Sequence, residues 1–193
     1  IGLETYQKIL NEALKELKEN EFKDLFAGEE EEPTGFVNDC QVDTDLAIML
    51  PDDYVDNIEE RLSLYRTLSD IETEAKLLEF EKDLIDRFGE LPKQALALLE
   101  TMRLRWLGKE LGFDKIVLKM GRMFCHFPAV ANANFAESPV FMSILDYIKI
   151  NPRLMEMKQK GELLRVVFRE VSSVQKAIYH LSRIASSGLV KSE

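Results

Sequence analysis

The sequence predicts an α+β domain in which a helical block is combined with a mixed or antiparallel sheet, preceded by a long linking helix. Three observations lead to this prediction. Residues 36–51 alternate between apolar and polar side chains, residues 51–112 contain three stretches with apolar residues at helical spacing, and residues 115–128 and 153–170 each contain two strand-like runs around a glycine. Helices and hairpins that are segregated along a chain are typical of α+β folds.

The composition is that of a soluble globular domain with an acidic surface. Of the 193 residues, 46% are hydrophobic and 31% are charged, and the formal net charge is −10. This charge disfavours direct binding to nucleic acid and favours a basic protein partner. No apolar run approaches the roughly 18 residues of a membrane span, so no membrane partner is expected. The two cysteines, Cys40 and Cys125, form no CxxC pair, which indicates a reducing compartment and predicts a cytoplasmic location.

The first 35 residues are predicted to be an appendage of the main domain. Residues 1–26 place their apolar side chains on one stripe, which predicts a long amphipathic helix. Residues 27–35, AGEEEEPTG, contain four consecutive glutamates, a proline and two glycines, which predicts an acidic flexible linker. The α+β domain itself is predicted to comprise residues 36–188.

The first half of this domain is predicted to contain one strand and three helices. Phe36–Pro51 is predicted as a single half-buried strand. A helix is expected to start at the PDDY sequence and to end near Ser69, and the next to run from Thr73 to Phe88 with Gly89 as its C-cap. A third starts at Pro92 and ends by Gly112. The first helix is expected to bury Ile58, Leu62, Tyr65 and Leu68.

The second half is predicted as hairpin, helix, hairpin, helix. The first hairpin turns at Met120 and Gly121, and Ser138 with Pro139 starts a helix that ends near Lys149. The second hairpin turns within Gln159–Gly161.

Motifs for nucleotide, dinucleotide or acyl-transfer chemistry are missing from the sequence. It contains no GxxxxGK[ST], GxGxxG or GxSxG motif, so no catalytic residue and no cofactor is predicted. Cys125 and His126 are neighbours on a predicted strand, point to opposite faces, and are interpreted as a buried cysteine beside a half-exposed histidine. Asp43 and Asp45 share one strand face, which leaves a metal-dependent nuclease as an alternative; the favoured interpretation is a solvated or partner-facing strand without a metal.

The segment KDLIDRFGELP, residues 82–92, offers the sharpest candidate site. Asp83, Asp86 and Arg87 lie away from the apolar residues of this predicted helix. One interpretation is a surface ion pair between Asp83 and Arg87, four residues apart, which would contribute about 0.3–0.5 kcal/mol. The other is a docking patch whose carboxylates and guanidinium bind charged groups of a partner.

Residues 39–69, DCQVDTDLAIMLPDDYVDNIEERLSLYRTLS, followed by LIDRFGELP at 84–92, resemble the C-terminal domain of bacterial transcription-repair coupling factors. The N-terminal helix also resembles the helix that follows the motor of those proteins. The resemblance extends over about residues 1–111 and is weaker from Gly112 onward.

The resemblance implies a regulatory domain of a larger protein. Members of this family are ATP-driven translocases on double-stranded DNA that displace stalled RNA polymerase at lesions and recruit UvrA for nucleotide excision repair. Their C-terminal domain docks on the UvrA-binding domain of the same polypeptide and masks it. The family's contact residues carry over onto Asp83, Asp86 and Arg87, where Asp83 replaces the usual glutamate. UvrA and RNA polymerase are then indirect partners, and an adaptor domain that contacts another partner, such as RNA polymerase, is the alternative.

Overall fold

The computed structural model describes residues 36–128, 133–161 and 163–189. The predicted helix at residues 1–26 and the predicted linker at 27–35 lie outside the described residues. The described residues form five strands and six helices, one of which is a single turn.

The helices follow the chain in two groups. The first group is α1 (Ile58–Ser69), α2 (Glu74–Phe88) and α3 (Lys93–Glu110). The second group is the single turn α4 (Ala133–Ala136), α5 (Pro139–Ile150) and α6 (Val174–Leu189). Among the residues that the structure describes, no helix is both long enough and apolar enough to cross a bilayer.

The strands form one mixed sheet in the order β1-β2-β3-β5-β4. They are β1 (Gln41–Thr44), β2 (Lys115–Lys119), β3 (Arg122–His126), β4 (Met155–Lys160) and β5 (Leu163–Phe168). The β1 strand is parallel to β2, and all other neighbours are antiparallel. The α+β fold class and both predicted hairpins are therefore confirmed.

The predicted strand at Phe36–Pro51 was too long. Pairing is confined to Gln41–Thr44, and the chain then bends away through turns. The alternation of apolar and polar residues continues beyond the end of β1 because Leu46 and Ile48 pack against the sheet core without belonging to a strand.

The predicted start of the first helix was also wrong. The PDDY sequence forms a turn, and α1 begins at Ile58 with Asn57 as N-cap, whose side-chain oxygen accepts a hydrogen bond from the Glu60 amide at 3.1 Å. The asparagine side chain satisfies a backbone amide that would otherwise have no partner in the first turn of the helix. The proline and two aspartates at 51–53 do not start a helix. The buried face shifts accordingly: Leu64 and Leu68 are buried, whereas Ile58 and Leu62 are exposed.

The described part of the chain contains two apolar cores, and α3 belongs to both. The helical core unites buried residues of α1, α2 and the first half of α3, among them Leu68, Leu77 and Leu99. The sheet core packs α5, α6 and the second half of α3 on one face of the sheet. Since α3 is covered on different sides along its length, it lacks the single apolar stripe of a surface helix.

Candidate docking surface on the second helix

The α2 helix, which carries Asp83, Asp86 and Arg87, is closed at both ends by local interactions. The Thr73 side chain accepts a hydrogen bond from the Lys76 amide at 3.4 Å, and Gly89 ends the helix at φ 86°, a conformation that suits glycine. Between them, the apolar side of the helix is buried in the helical core. The predicted helix bounds and C-cap are confirmed.

Tyr54 holds the C-terminal end of α2. Its hydroxyl lies 3.1 Å from the carbonyl oxygen of Leu84 and 3.0 Å from that of Gly89, and its ring lies 5.7 Å from the Phe88 ring. The hydroxyl is the donor to both carbonyls, and burial raises the pKa of Tyr54 above its ordinary value. The last turn of α2 is thereby fixed to the loop before α1.

A second link joins the first turn of α2 to α3. Arg103 donates to both carboxylate oxygens of Glu74, with its Nε 3.0 Å from each and its Nη2 2.6 Å from Oε1. This hydrogen bond holds the pKa of Glu74 below its ordinary value. Bidentate geometry makes the pair more directional than a point-charge contact.

Arg87 does not pair with Asp83. Its guanidinium instead bonds the carboxylate of Glu60, in the first turn of α1, and lies 4.8 Å from the centroid of the Phe88 ring. Because α1 and α2 are consecutive helices joined by a short connection, the first turn of α1 meets the last turn of α2. The predicted surface pair is thus replaced by a link between two helices.

Asp83 and Asp86 are exposed and, within the described parts of the chain, neither forms a hydrogen bond or an ion pair. Arg87 remains 52% exposed despite its contact with Glu60. The three residues share the solvent side of the last two turns of α2, where Leu84 points into the core. Two free carboxylates beside one anchored guanidinium form a surface suited to charged groups of a partner.

Glu60 is the member of this surface that the sequence analysis missed. It lies 27 residues before Arg87 and belongs to another helix. A signal was nevertheless present, since glutamates in a first helical turn are placed favourably by the helix dipole and the hairpin of α1 and α2 brings that turn to Arg87.

The carboxylates of β1 and the loop after it have separate partners. Asp43 bonds the Lys119 ammonium at 3.0 Å, and Asp45 accepts from the Met120 amide at 2.9 Å. Across the described residues, no three His, Cys, Asp or Glu side chains converge as a metal site requires.

The Cys125–His126 pair follows the alternation of its strand. Cys125 is fully buried, and His126 is half-buried on the opposite face of β3, as the sequence predicted.

Comparison with known proteins relates the chain to one family. The model of the TRCF domain matches residues 44–138. Transcription-repair-coupling factors match as well: that of Haemophilus influenzae is 36% identical over 136 residues, which is 69% of this chain and 11% of the relative. That of Escherichia coli is 34% identical over 119 residues, 60% of this chain and 10% of the relative.

A solved structure shares the fold. The crystal structure of the C-terminal domain of a transcription-repair coupling factor matches with a TM-score of 0.62 and 18% identity, and the match covers 79% of this chain and 96% of that one. The chain thus shares the α+β fold of that C-terminal domain. The chain belongs to the TRCF domain family, and it spans about a tenth of the length of the curated relatives it matches.

Proposed function

We propose that this is a non-catalytic regulatory domain of a cytoplasmic transcription-repair coupling factor, and that Asp83, Asp86 and Arg87 dock it on the UvrA-binding domain of the same polypeptide. The parent protein would be an ATP-dependent translocase on double-stranded DNA that displaces stalled RNA polymerase and recruits UvrA for nucleotide excision repair. The docked domain would mask the UvrA-binding surface and restrain the motor. The names of the relatives and the resemblance of the 84–92 segment support this assignment.

The observation that carries the docking proposal is the unequal pairing of the three residues. Arg87 is anchored to Glu60, whereas Asp83 and Asp86 are exposed and unpaired within the described ranges 36–128, 133–161 and 163–189. Carboxylates held on a rigid helix lose little side-chain freedom on binding relative to those on a loop. They would pair with arginines or lysines of the sibling domain, while Arg87 would donate to an acid of that domain.

Such an interface suits a domain that must be released. A few charged contacts at the rim of a modest surface are reversible, in contrast to a large apolar interface. Charge-paired docking also weakens as salt screens the attraction, over a Debye length of about 8 Å at physiological ionic strength. Release should therefore be easier at high salt.

Charge reversal of Asp86 in the full-length parent protein is the direct test. Asp86→Arg leaves the Arg87–Glu60 pair intact, so loss of docking can be separated from loss of the link between α1 and α2. We expect the variant to bind UvrA more tightly than the natural protein in a pull-down and to show a higher basal ATPase rate. Asp83→Arg should act in the same direction.

Glu110→Arg is the matched control, because Glu110 is an exposed acid at the end of α3, outside the α2 surface. It should leave UvrA binding and ATPase rate unchanged. If Asp86→Arg and Asp83→Arg both leave UvrA binding at the natural level while thermal melting shows intact folding, docking through this surface is excluded. A simultaneous loss of RNA polymerase binding would then favour the adaptor alternative.

A further inference from the structure

The outward face of the sheet forms a second charged surface, independent of the one on α2. Helices α3, α5 and α6 pack on one face, against residues such as Ile116, Cys125 and Val166. On the opposite face, Val117 and Phe124 belong to neither apolar core of the described chain. We call this opposite side the open face.

The strand register arranges the open face in parallel rows across the sheet. The first row consists of four residues that lie side by side on neighbouring strands. The second row lies two residues further along each strand, and the residues at its centre are apolar. A third row begins with Lys119 paired with Arg122. The first row is Lys115, His126, Arg165 and Lys158, and the centre of the second is Val117, Phe124 and Val167. An apolar centre therefore lies between two basic rows.

The charge of the open face is opposite to that of the chain. Asp43 and Glu156 are the acids at its strand positions, in a chain with a net charge of −10. Its strand positions carry six cations: Lys115, Lys119, Arg122, Lys158, Lys160 and Arg165.

The acids of the open face are already occupied. Asp43 pairs with Lys119, and Glu156 pairs with both Lys158 and Arg169, each at 3.0 Å. Their carboxylates are therefore not available to neutralise the remaining cations of the two basic rows.

Four cations of the open face form no ion pair with any described residue: Lys115, Arg122, Lys160 and Arg165. Like charges on neighbouring strands are destabilising. Burial is the main cause of the lowered pKa of His126; Arg165 and Lys115 lower it further, whereas Asp114 acts in the opposite direction. An anionic partner would relieve this repulsion.

We propose that the open face binds an acidic segment of a partner protein, with the carboxylates of that segment on the two basic rows and an apolar side chain on the half-buried Val117. Val167 is buried beneath this surface. A protein segment suits the face better than nucleic acid for two reasons. The guanidinium of Arg165 lies 5.5 Å from the Phe124 centroid and covers the ring on which a base would stack. The chain as a whole carries a net charge of −10, which repels the extended phosphate backbone of a nucleic acid more than a short peptide.

The test uses the whole 193-residue chain, labelled with ¹⁵N, and three probes. The first probe is a short helical peptide with leucines on one face and glutamates beside them, the second is the same peptide with lysine in place of glutamate, and the third is an oligodeoxythymidine. We expect the glutamate peptide to shift the amide resonances of β2, β3 and β5, and the lysine peptide and the oligonucleotide to leave them unchanged.

Charge reversal supplies the second arm. The double variant Lys115→Glu, Arg165→Glu should bind the glutamate peptide roughly tenfold or more weakly, because both free cations of the first row are lost. The double variant Lys93→Glu, Lys176→Glu makes the same change in net charge at exposed positions of α3 and α6 and should bind nearly as well as the natural chain. Lys115→Gln with Arg165→Gln covers the case in which the reversed variant fails to fold.

Three results would overturn the proposal: no resonance shift with the glutamate peptide, equal losses in both double variants, or shifts of the same strands by the oligonucleotide alone. None of them bears on Asp83, Asp86 or Arg87. The docking proposal for α2 therefore stands or fails separately.

Discussion

The helical block and the sheet layer stabilise this domain in different ways. In the helical block, three helices share a core that is rich in leucine and, among the described residues, contains one buried aromatic ring, Phe80. Pairs such as Arg103–Glu74 and Arg87–Glu60 join the helices at the surface. In the sheet layer, three phenylalanine rings pack around Phe127, with the centroids of Phe113, Phe135 and Phe141 at 4.8, 5.2 and 5.9 Å.

One continuous helix, α3, couples two cores that are built differently. The first half of α3 buries Leu98 and Leu99 in the helical block, and its second half buries Leu104 in the sheet layer. The surfaces differ as well, since α2 presents free carboxylates and the open face presents free cations. A substitution in either region should therefore change the free energy of unfolding of the whole domain, and the size of the change should differ between the regions.

The largest effect should come from the aromatic cluster of the sheet layer. Phe127→Ala removes a ring that is 2% exposed and leaves a cavity among other rings, so we expect a loss of about 3–5 kcal/mol in the free energy of unfolding, at the upper end of this range. Phe80→Ala in the helical block removes the same atoms from a site that is 7% exposed and should cost less. Urea unfolding of both variants measures the difference; an equal or greater loss for Phe80→Ala would contradict the distinction.

The junction between the two regions should tolerate little added volume. A Cβ atom at Gly108 of α3 would lie 2.4 Å from Cys40 Sγ and 2.8 Å from Ile116 Cδ1. Gly108→Ala should therefore destabilise the domain by about 1–3 kcal/mol, although alanine is the better helix former. Lys109→Ala, at the exposed neighbouring position, should change stability by less than about 0.5 kcal/mol in the same urea titration. A stabilised Gly108→Ala variant would show that the helix and β1 can separate freely.

The N-cap residues of the two regions should contribute unequally to the free energy of unfolding. Ser138 caps α5 from a buried position, accepting from the Phe141 amide at 3.1 Å and donating to the Phe135 carbonyl at 2.7 Å, whereas Thr73 caps α2 from an exposed one. Ser138→Ala should cost about 1–2 kcal/mol and Thr73→Ala about 0.5–1 kcal/mol. Thermal melting of both variants and of Glu72→Ala, an exposed neighbour outside the cap, gives the comparison; the reverse order would refute it.

The smallest expected effect is the pH dependence of the stability that the Glu74–Arg103 pair contributes to the helical block. Because Arg103 holds the folded-state pKa of Glu74 below the ordinary value of 4.5, the contribution of this pair is fully present above about pH 4.5 and is lost as the pH falls through the folded-state pKa. Exposure limits it to less than about 1 kcal/mol.

Glu74→Gln should therefore lower the urea midpoint at neutral pH and have a diminishing effect in acid. Glu79→Gln, an exposed acid on the same helix, should leave the midpoint unchanged at both pH values. An effect of Glu74→Gln that grows in acid would have the wrong sign for a depressed carboxyl pKa.

Periodicity and local end signals were sufficient for most elements. Thr73 and Gly89 mark the ends of α2, Ser138 and Pro139 mark the start of α5, and glycines mark the hairpin turns. These residues can be recognised in the sequence because each acts on the backbone within a few residues of its own position. The exposed positions of the two free carboxylates on α2 followed from the same helical spacing. These features required no knowledge of distant contacts.

Tertiary structure alone decided where β1 ends and which face of α1 is buried. The apolar residues of α1 fit more than one helical stripe, so the sequence placed Ile58 and Leu62 inside, although both are exposed in the folded domain and Leu64 is buried instead. Alternation likewise continues beyond Thr44, because apolar side chains of a loop can pack on the core as those of a strand do.

Contacts between separate segments were also beyond the reach of local patterns. Arg87 bonds Glu60 because the hairpin of α1 and α2 brings the two ends together. The row of cations on the open face exists only through strand register, since Lys115, Arg165 and Lys158 come from three separate strands. Periodicity fixes which side of an element a residue occupies, whereas its neighbours across elements depend on how those elements pack.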